Sequence, residues 1–437
     1  MILVLRRYNI LKPVSANTAA RLDRQFSSGI PRQMNQTRPV TLAISVLSLF
    51  IVNAADAVSY KATLLYSAAL PEAIAYGVSG GSQVGYAFIS HSTFRAQLWH
   101  GTPASAVDLN PAGFKNSFAL GVSVGNQVGY GHSLTHGDHA LLWSGTAASA
   151  VDLHPTGFGG SHASAISGTS QVGHGFSSAT ETYHALLWYG TAASAVDLHP
   201  AGFEWSQASG VWGTTQVGSA YHSETGEDAH AILWNGTAAS AVDLHPTGFV
   251  VSRATGVTDG SQVGHGYSSV TNTGHALLWN GTAESVVDLH PPGFAGSAAR
   301  AVSAAGQVGS GYYQWMADSS HALLWKGTPS SVVDLHPYLS GLGPTFRRSV
   351  AFGIDDNGSI VGYAFDDTRG RSYAVLWTPV PEPNSCVLLA CGFAITSIMR
   401  ARRRSPCATG SASASSAEGL WPNIPLVSST HNSWPPT

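Results

Sequence analysis

The chain has 437 residues, 48 of them glycine; 44% are hydrophobic, only 10% are charged, and the formal net charge is −3. That composition suits many short strands and tight turns. Between Val58 and Pro379, 10 Lys+Arg stand against 20 Asp+Glu, a balance that argues against nucleic acid as a partner, and the three cysteines, Cys386, Cys391 and Cys407, all lie beyond, so no disulfide framework supports this region.

Residues 1–33 carry scattered arginines and no motif, and read as an extension from a start codon called in error, with an organelle-type transit segment as the alternative. From Met34 the pattern changes. Arg38, the apolar run Thr41–Val52 and Ala55-Asp56-Ala57 form the three parts of a secretory signal peptide over 34–57, cleaved after Ala57. Export is the consequence.

Residues 58–379 are built on one repeat. Trp99, Trp143, Trp188, Trp234, Trp279, Trp325 and Trp377 are spaced 44, 45, 46, 45, 46 and 52 residues apart, and each closes a copy of Ala-x-Gly-Val-Ser, Gln-Val-Gly and His-Ala-Leu-Leu-Trp. A period near 45 with four short β-patterned runs per copy predicts a propeller blade. In the second copy the runs are Ala119–Ser123, Gln127–Gly131, His139–Trp143 and Ala150–His154, with Ser144-Gly145-Thr146, or Asn235-Gly236 and Asn280-Gly281 in other copies, as the third hairpin turn. The last copy lacks a fourth strand, whereas Tyr60–Tyr66 precedes the first copy without a blade of its own. The expectation is therefore an all-β, seven-bladed β-propeller of four-stranded antiparallel blades, closed by Tyr60–Tyr66 pairing with Tyr373–Trp377.

Copies differ in length only in some places. Trp to the Asp of Val-Asp-Leu is nine residues in all six copies that have it, whereas the Gln of Gln-Val-Gly to Trp drifts from 16 to 18. In such a meander the second-to-third loops and the blade-to-blade connections share one rim, which is where a binding surface is expected. Candidate rim residues are Glu224 and Asp228, and Tyr312, Tyr313 and Trp315, whose rings suit stacking on a sugar or a partner protein, or packing on their own loop.

A repeated histidine pair is the strongest constellation. His139 and His154, His184 and His199, His230 and His245, His275 and His290, and His321 and His336 are each 15 residues apart. The hairpin register that sets Trp143 against Ala150 also sets His139 against His154, Cβ atoms within about 5 Å. His184 and His199 are weak candidates for a metal, because an imidazole pair without a third ligand is an incomplete site. Asp108, Asp152, Asp197, Asp243, Asp288 and Asp334 share that face and read as structural acceptors for a turn amide, indole or imidazole, with Ala140, Leu142, Val151 and Leu153 opposite. Asp355-Asp356-Asn357-Gly358 reads as a hairpin turn and not as a calcium loop. No cofactor motif, catalytic triad or nucleophile elbow is present, and no cofactor is expected.

After the repeats come Val380-Pro381-Glu382-Pro383, the apolar run Cys386–Met399, and Arg400, Arg402, Arg403 and Arg404. The 14-residue run is short for a stable span of about 20 residues, so transient membrane contact through 386–399 is expected. The segment 380–404 resembles the PEP-CTERM protein-sorting signal of Gram-negative bacteria, which implies an exosortase-type processing enzyme as partner. Signals of that family end at the basic cluster, whereas here a Ser/Ala/Pro-rich tail, 405–437, follows and reads as disordered. The repeats over Ala75 to Trp377 resemble the HAF family of extracellular repeats, which implies an extracellular protein and supplies no activity.

Every polar motif repeats with the blade and none is singular. The expected function is therefore a non-enzymatic scaffold, adhesion or binding module, secreted or on the bacterial surface, with extracellular polysaccharide or a surface protein as partner. The alternatives are a propeller enzyme acting on extracellular polysaccharide, or a carbohydrate-binding or ice-binding surface.

Overall fold

A computed structural model describes residues 59–66, 70–90, 92–134, 137–223, 228–313 and 319–380. Within them the strands form seven four-stranded antiparallel sheets, each a meander of neighbouring strands, arranged as a seven-bladed β-propeller with no α-helix among the described residues. Blades are numbered here 1 to 7 by their tryptophans, from Trp99 to Trp377. The segments 1–57 and 381–437, with the signal-peptide, sorting and tail readings, lie outside the described residues; Val380 ends the last strand of blade 7.

Closure occurs as expected. Ser59–Leu64 pairs antiparallel with Arg371–Val380, Ala62 opposite Trp377 and Leu64 opposite Val375, and the Leu65 amide adds a hydrogen bond of 2.8 Å to the Ala374 carbonyl. The chain thus supplies the outer strand of its last blade from its own beginning, so that blade is left with no missing strand.

The tryptophans are the blade-to-blade cores. All seven are fully buried, and each packs against the blade before its own: Trp188 of blade 3 lies with Val128, Ala140 and Leu153 of blade 2, and Trp234 of blade 4 with Val172, Leu187 and Leu198 of blade 3. Such a side chain contributes about 3–5 kcal/mol relative to alanine, and its repetition at constant depth is why the period was legible. Both faces of each blade are covered this way. The expected division into a polar and an apolar face therefore fails: Leu141 is buried, whereas Val151, assigned to the apolar face, is 41% exposed at the outer edge.

The third-to-fourth connection also differs from the expected hairpin. Gly145 and Gly236 do take positive φ, but Asn235 and Asn280 do not, and the chain enters a 3-10 turn, Ala147–Ser149 in blade 2. There Ser149 Oγ donates to the Thr146 carbonyl at 2.6 Å and accepts from the Ser144 amide at 2.8 Å, while Gln127 Oε1 accepts from the Gly145 amide at 2.8 Å. Only Val151–Asp152 remains as fourth strand, two residues where Ala150–His154 was expected.

Each inner strand carries a bulge, which explains two of the repeated motifs. The register slips within Ala-x-Gly-Val, at Ala75/Gly77 in blade 1 and Ala208/Gly210 in blade 4 for example. The glycine of Gln-Val-Gly faces the residue just before the bulge: a Cβ on Gly173 would collide with the His162 carbonyl oxygen. The slip turns the x residues, Tyr76, Leu120, Ser164, Ser209, Thr255, Arg300 and Phe352, toward the axis, where they line one central cavity.

Candidate functional site

The repeated histidines and aspartates form a blade-to-blade staple. In blade 3 the His184 Nδ1 donates to Asp197 Oδ2 at 2.6 Å, and Asp197 Oδ1 accepts from the His199 amide at 2.8 Å. His199 Nδ1 lies 2.9 Å from Ser206 Oγ of blade 4, and that oxygen accepts from the buried Ala185 amide of blade 3 at 3.0 Å. The two-residue fourth strand cannot reach this amide, so the serine of the next blade caps it. Six junctions carry the same serine-to-amide bond at 3.0 Å. In blade 1, Arg95 and Asn110 replace the histidines, with Ser117 Oγ donating to Asn110 Oδ1 at 2.7 Å. The aspartates are thus acceptors for an imidazole or guanidinium and a turn amide.

The expected pairing of the histidines is present, as a stack. His184 and His199 lie with ring centroids 4.2 Å apart and planes 9° apart; His184 Nε2 bonds Thr180 Oγ1 at 2.9 Å and His199 Nε2 bonds the Phe203 carbonyl at 3.1 Å. All four ring nitrogens have protein partners. Parallel rings with engaged nitrogens do not converge on a metal position.

The rim candidates separate. Tyr313 stacks on Phe294 at 4.5 Å and edges His321 at 5.2 Å, so it packs on its own blade. Tyr312 is 37% exposed and covers Gly296, leaving that glycine no room for a Cβ. Asp228 accepts from the Ser223 amide and hydroxyl, both at 3.1 Å, and so holds its own turn. Glu224 and Trp315 lie outside the described residues, as do Pro381, Glu382, Pro383, Arg400, Arg402, Arg403 and Arg404. Asp355 Oδ1 accepts from the amides of Asn357 and Ser359, a turn as expected.

A different part of the same rim breaks the repeat. Two adjoining depressions of about 490 and 300 Å³ run from blade 2 across blade 3 to blade 4 and share His174, Phe176 and Tyr183 as the ridge between them. Trp205, Gln207 and Glu181 line the first; Asp138 and His162 line the second. Tyr183 is 48% exposed. Trp205 is fixed by stacking on Tyr221 at 3.4 Å and by its indole donating to the Ser223 carbonyl at 3.1 Å. Glu181 stands at φ 57 in the second-to-third loop, where blade 5 has Asn272 at φ 54, the residue type that tolerates this left-handed conformation better.

Electrostatics distinguish the groups. His162 Nε2 bonds Asp138 Oδ2 at 3.0 Å and His132 Nδ1 bonds its Oδ1 at 2.8 Å. Burial works against ionising Asp138, but these two imidazoles overcome it and hold the carboxyl below its usual range. Burial, with His162 adding to it, pushes the His174 imidazole down to about 4, so the ring is neutral and carries one donor and one acceptor. Neither His174 nitrogen has a hydrogen-bond partner among the described residues. A half-buried imidazole with no protein partner, facing a concave surface, is poised for a polar ligand group.

None of these groove residues was singled out in the sequence. The signal was the copy-to-copy difference inside the strands: where blade 3 has His162 opposite His174, blade 1 has Ile74 opposite Tyr86 and blade 6 Ala298 opposite Ser310.

No family model matches this chain, and no curated protein matches it. Among solved structures it is similar to a puromycin hydrolase, at 12% identity over 69% of this chain and 53% of that one, with a TM-score of 0.45. A Trypanosoma rangeli sialidase mutant displaying trans-sialidase activity matches at 9% identity, 73% and 59% coverage and a TM-score of 0.35. Aleuria aurantia lectin, solved with alpha-methyl-L-fucoside, matches at 10%, 71% and 93%, with a TM-score of 0.32. The chain spans about half the length of the hydrolase. These likenesses are of fold alone.

Proposed function

We propose that this is an exported bacterial surface or extracellular-matrix protein, a non-enzymatic scaffold, adhesion or binding module whose groove across blades 2 to 4 takes a segment of extracellular polysaccharide. The supporting observation is that His174, half-buried and without a hydrogen-bond partner among the described residues, lies between Tyr183, Phe176 and Trp205 where two depressions adjoin. Aromatic rings offer stacking surface to the C–H faces of sugars, and His174, Gln207 and Glu181 offer donors and acceptors to hydroxyls. A hydrolase acting on the same polymer is the second reading, since Asp138 and Glu181 both border the groove. Asp138 weighs against it, because a carboxylate held ionised by two imidazoles is an acceptor and not a proton donor.

Export rests on the signal-peptide pattern over 34–57, and processing by an exosortase-type enzyme on the resemblance of 380–404 to a PEP-CTERM signal. Intact-mass measurement on protein from the native host tests both: the expected product begins after Ala57 and ends near the Pro-Glu-Pro box, and a mature species retaining Met1 or 405–437 would contradict the scheme. A glycan array run beside reducing-end assays tests the binding reading.

A further inference from the structure

The axial cavity holds a charge that the disc leaves unanswered. It has a volume of about 340 Å³, at the small end of ligand pockets, and Arg300 is the only lining side chain charged at neutral pH. The guanidinium lies over the Phe352 ring, 5.0 Å from its centroid, and Phe352 stacks on Tyr76 at 4.5 Å. Among the described residues it has no hydrogen bond or ion pair, and its Nε is buried. The side chain is half-buried, so part of the cation's hydration is lost with only a cation–π contact in return.

The neighbourhood is positive. Burial first, then the guanidiniums of Arg300 and Arg253, push the His265 imidazole down to about 4, and its buried Nδ1 has no partner either. On a propeller with twice as many acidic as basic residues this is a local inversion of sign. Around the ring from Arg300, one side is the aromatic wall of Phe352 and Tyr76, and the other passes Thr255, already bonded to two carbonyls, to the hydroxyls of Ser209 and Ser164, which have no partner among the described residues. Valines and isoleucines complete the lining.

We propose that the axial cavity is a binding site for a small hydroxylated carboxylate of sugar-acid type, its carboxylate on Arg300, its hydroxyls on Ser209 and Ser164 and its apolar face on Phe352 and Tyr76. Arginine is suited to this because its planar fork matches a carboxylate with two parallel hydrogen bonds. The site is separate from the groove of blades 2 to 4 and stands whether or not that groove binds polysaccharide.

The test is calorimetry on the mature propeller with D-glucuronate, glucose, inorganic phosphate and an oligoglucuronate. Saturable one-to-one binding of glucuronate with none of glucose is expected, weakened at least about tenfold in Arg300→Met and less in Arg300→Lys, and unchanged in the groove variant His174→Phe. Oligoglucuronate binding as tightly as the monomer assigns a polymer end as the source, and monomer alone assigns a free acid; either supports the site. Arg300→Met replaces a half-buried charge that has no ion pair among the described residues with an apolar chain of similar length, so its melting temperature in buffer should be no lower than wild type. No saturable heat from glucuronate at millimolar concentration, equal binding of glucose, phosphate binding as tight as glucuronate, or binding retained in Arg300→Met would each overturn the proposal.

Discussion

His184 and His199 face one another as parallel imidazoles 4.2 Å apart, and the carboxylate of Asp197 reaches both, through the ring of one and the backbone amide of the other. A metal would have to displace existing hydrogen bonds from ring nitrogens and rotate both rings out of a packed stack. Equilibrium dialysis with zinc, copper and calcium should therefore return less than one equivalent, with no change when His184 and His199 become alanine. Stoichiometric binding lost in those variants would contradict the stack as described.

The staple makes a stability prediction. Ser206 is fully buried, and its Oγ is the acceptor for the Ala185 amide. Ser206→Ala leaves that amide and the His199 Nδ1 unanswered, which costs about 1–3 kcal/mol. The urea midpoint should fall with an unchanged m-value; a midpoint equal to wild type would mean the bond is replaced by water.

Acid should loosen the disc. Burial first, then the facing imidazole, hold His154, His199, His245, His290 and His336 below 6.5, and His174 and His265 lie at about 4. Each folded pKa is depressed, so the unfolded chain binds the proton more tightly. The contribution is complete above the unfolded value of 6.5 and is lost as pH falls from there through about 4. Melting followed by circular dichroism should show a temperature that is level above neutrality and declines across this window. A midpoint that climbs on acidification would show that these imidazoles gain protons in the folded state.

Closure can be weighed against the tail. Removing residues 58–66 exposes the edge of Arg371–Val380 and uncovers Leu376, whereas removing 381–437 takes away no strand of the described blades. The first deletion should abolish cooperative unfolding or lower its midpoint sharply, and the second should leave it in place. Equal effects would place the closing contact elsewhere.

Blade count, meander order and the histidine register were legible because each is written several times, and closure because one strand is missing at one end and one is surplus at the other; burial at constant depth keeps Trp in every copy and Gln-Val-Gly in the first six. The groove and the axial ring were not, for the opposite reason. His162 and His174 meet only through cross-strand register, and Arg300 reaches the axis only because a bulge between Ala299 and Ala301 rotates it there. Loop-length drift led to Tyr313, for which stacking on a partner and packing on its own loop were both open; its contact with Phe294 is set by the fold and is not written in loop length. The two-residue fourth strand was missed because Ser149 closes a 3-10 turn through bonds that a dipeptide turn signal does not encode.

Binding without turnover at the groove is the central claim, and titrating one polysaccharide-derived oligomer found by the array into wild type, Tyr183→Ala, His174→Phe and Asp138→Asn, with reducing ends counted in the same tubes, tests it most directly. Loss of at least about fivefold in affinity is expected for Tyr183→Ala and His174→Phe, since each removes about 1–3 kcal/mol of stacking or hydrogen bonding, with no reducing ends released by any of the four proteins. Turnover by wild type that disappears in Asp138→Asn, or affinity indifferent to both Tyr183 and His174, would contradict it.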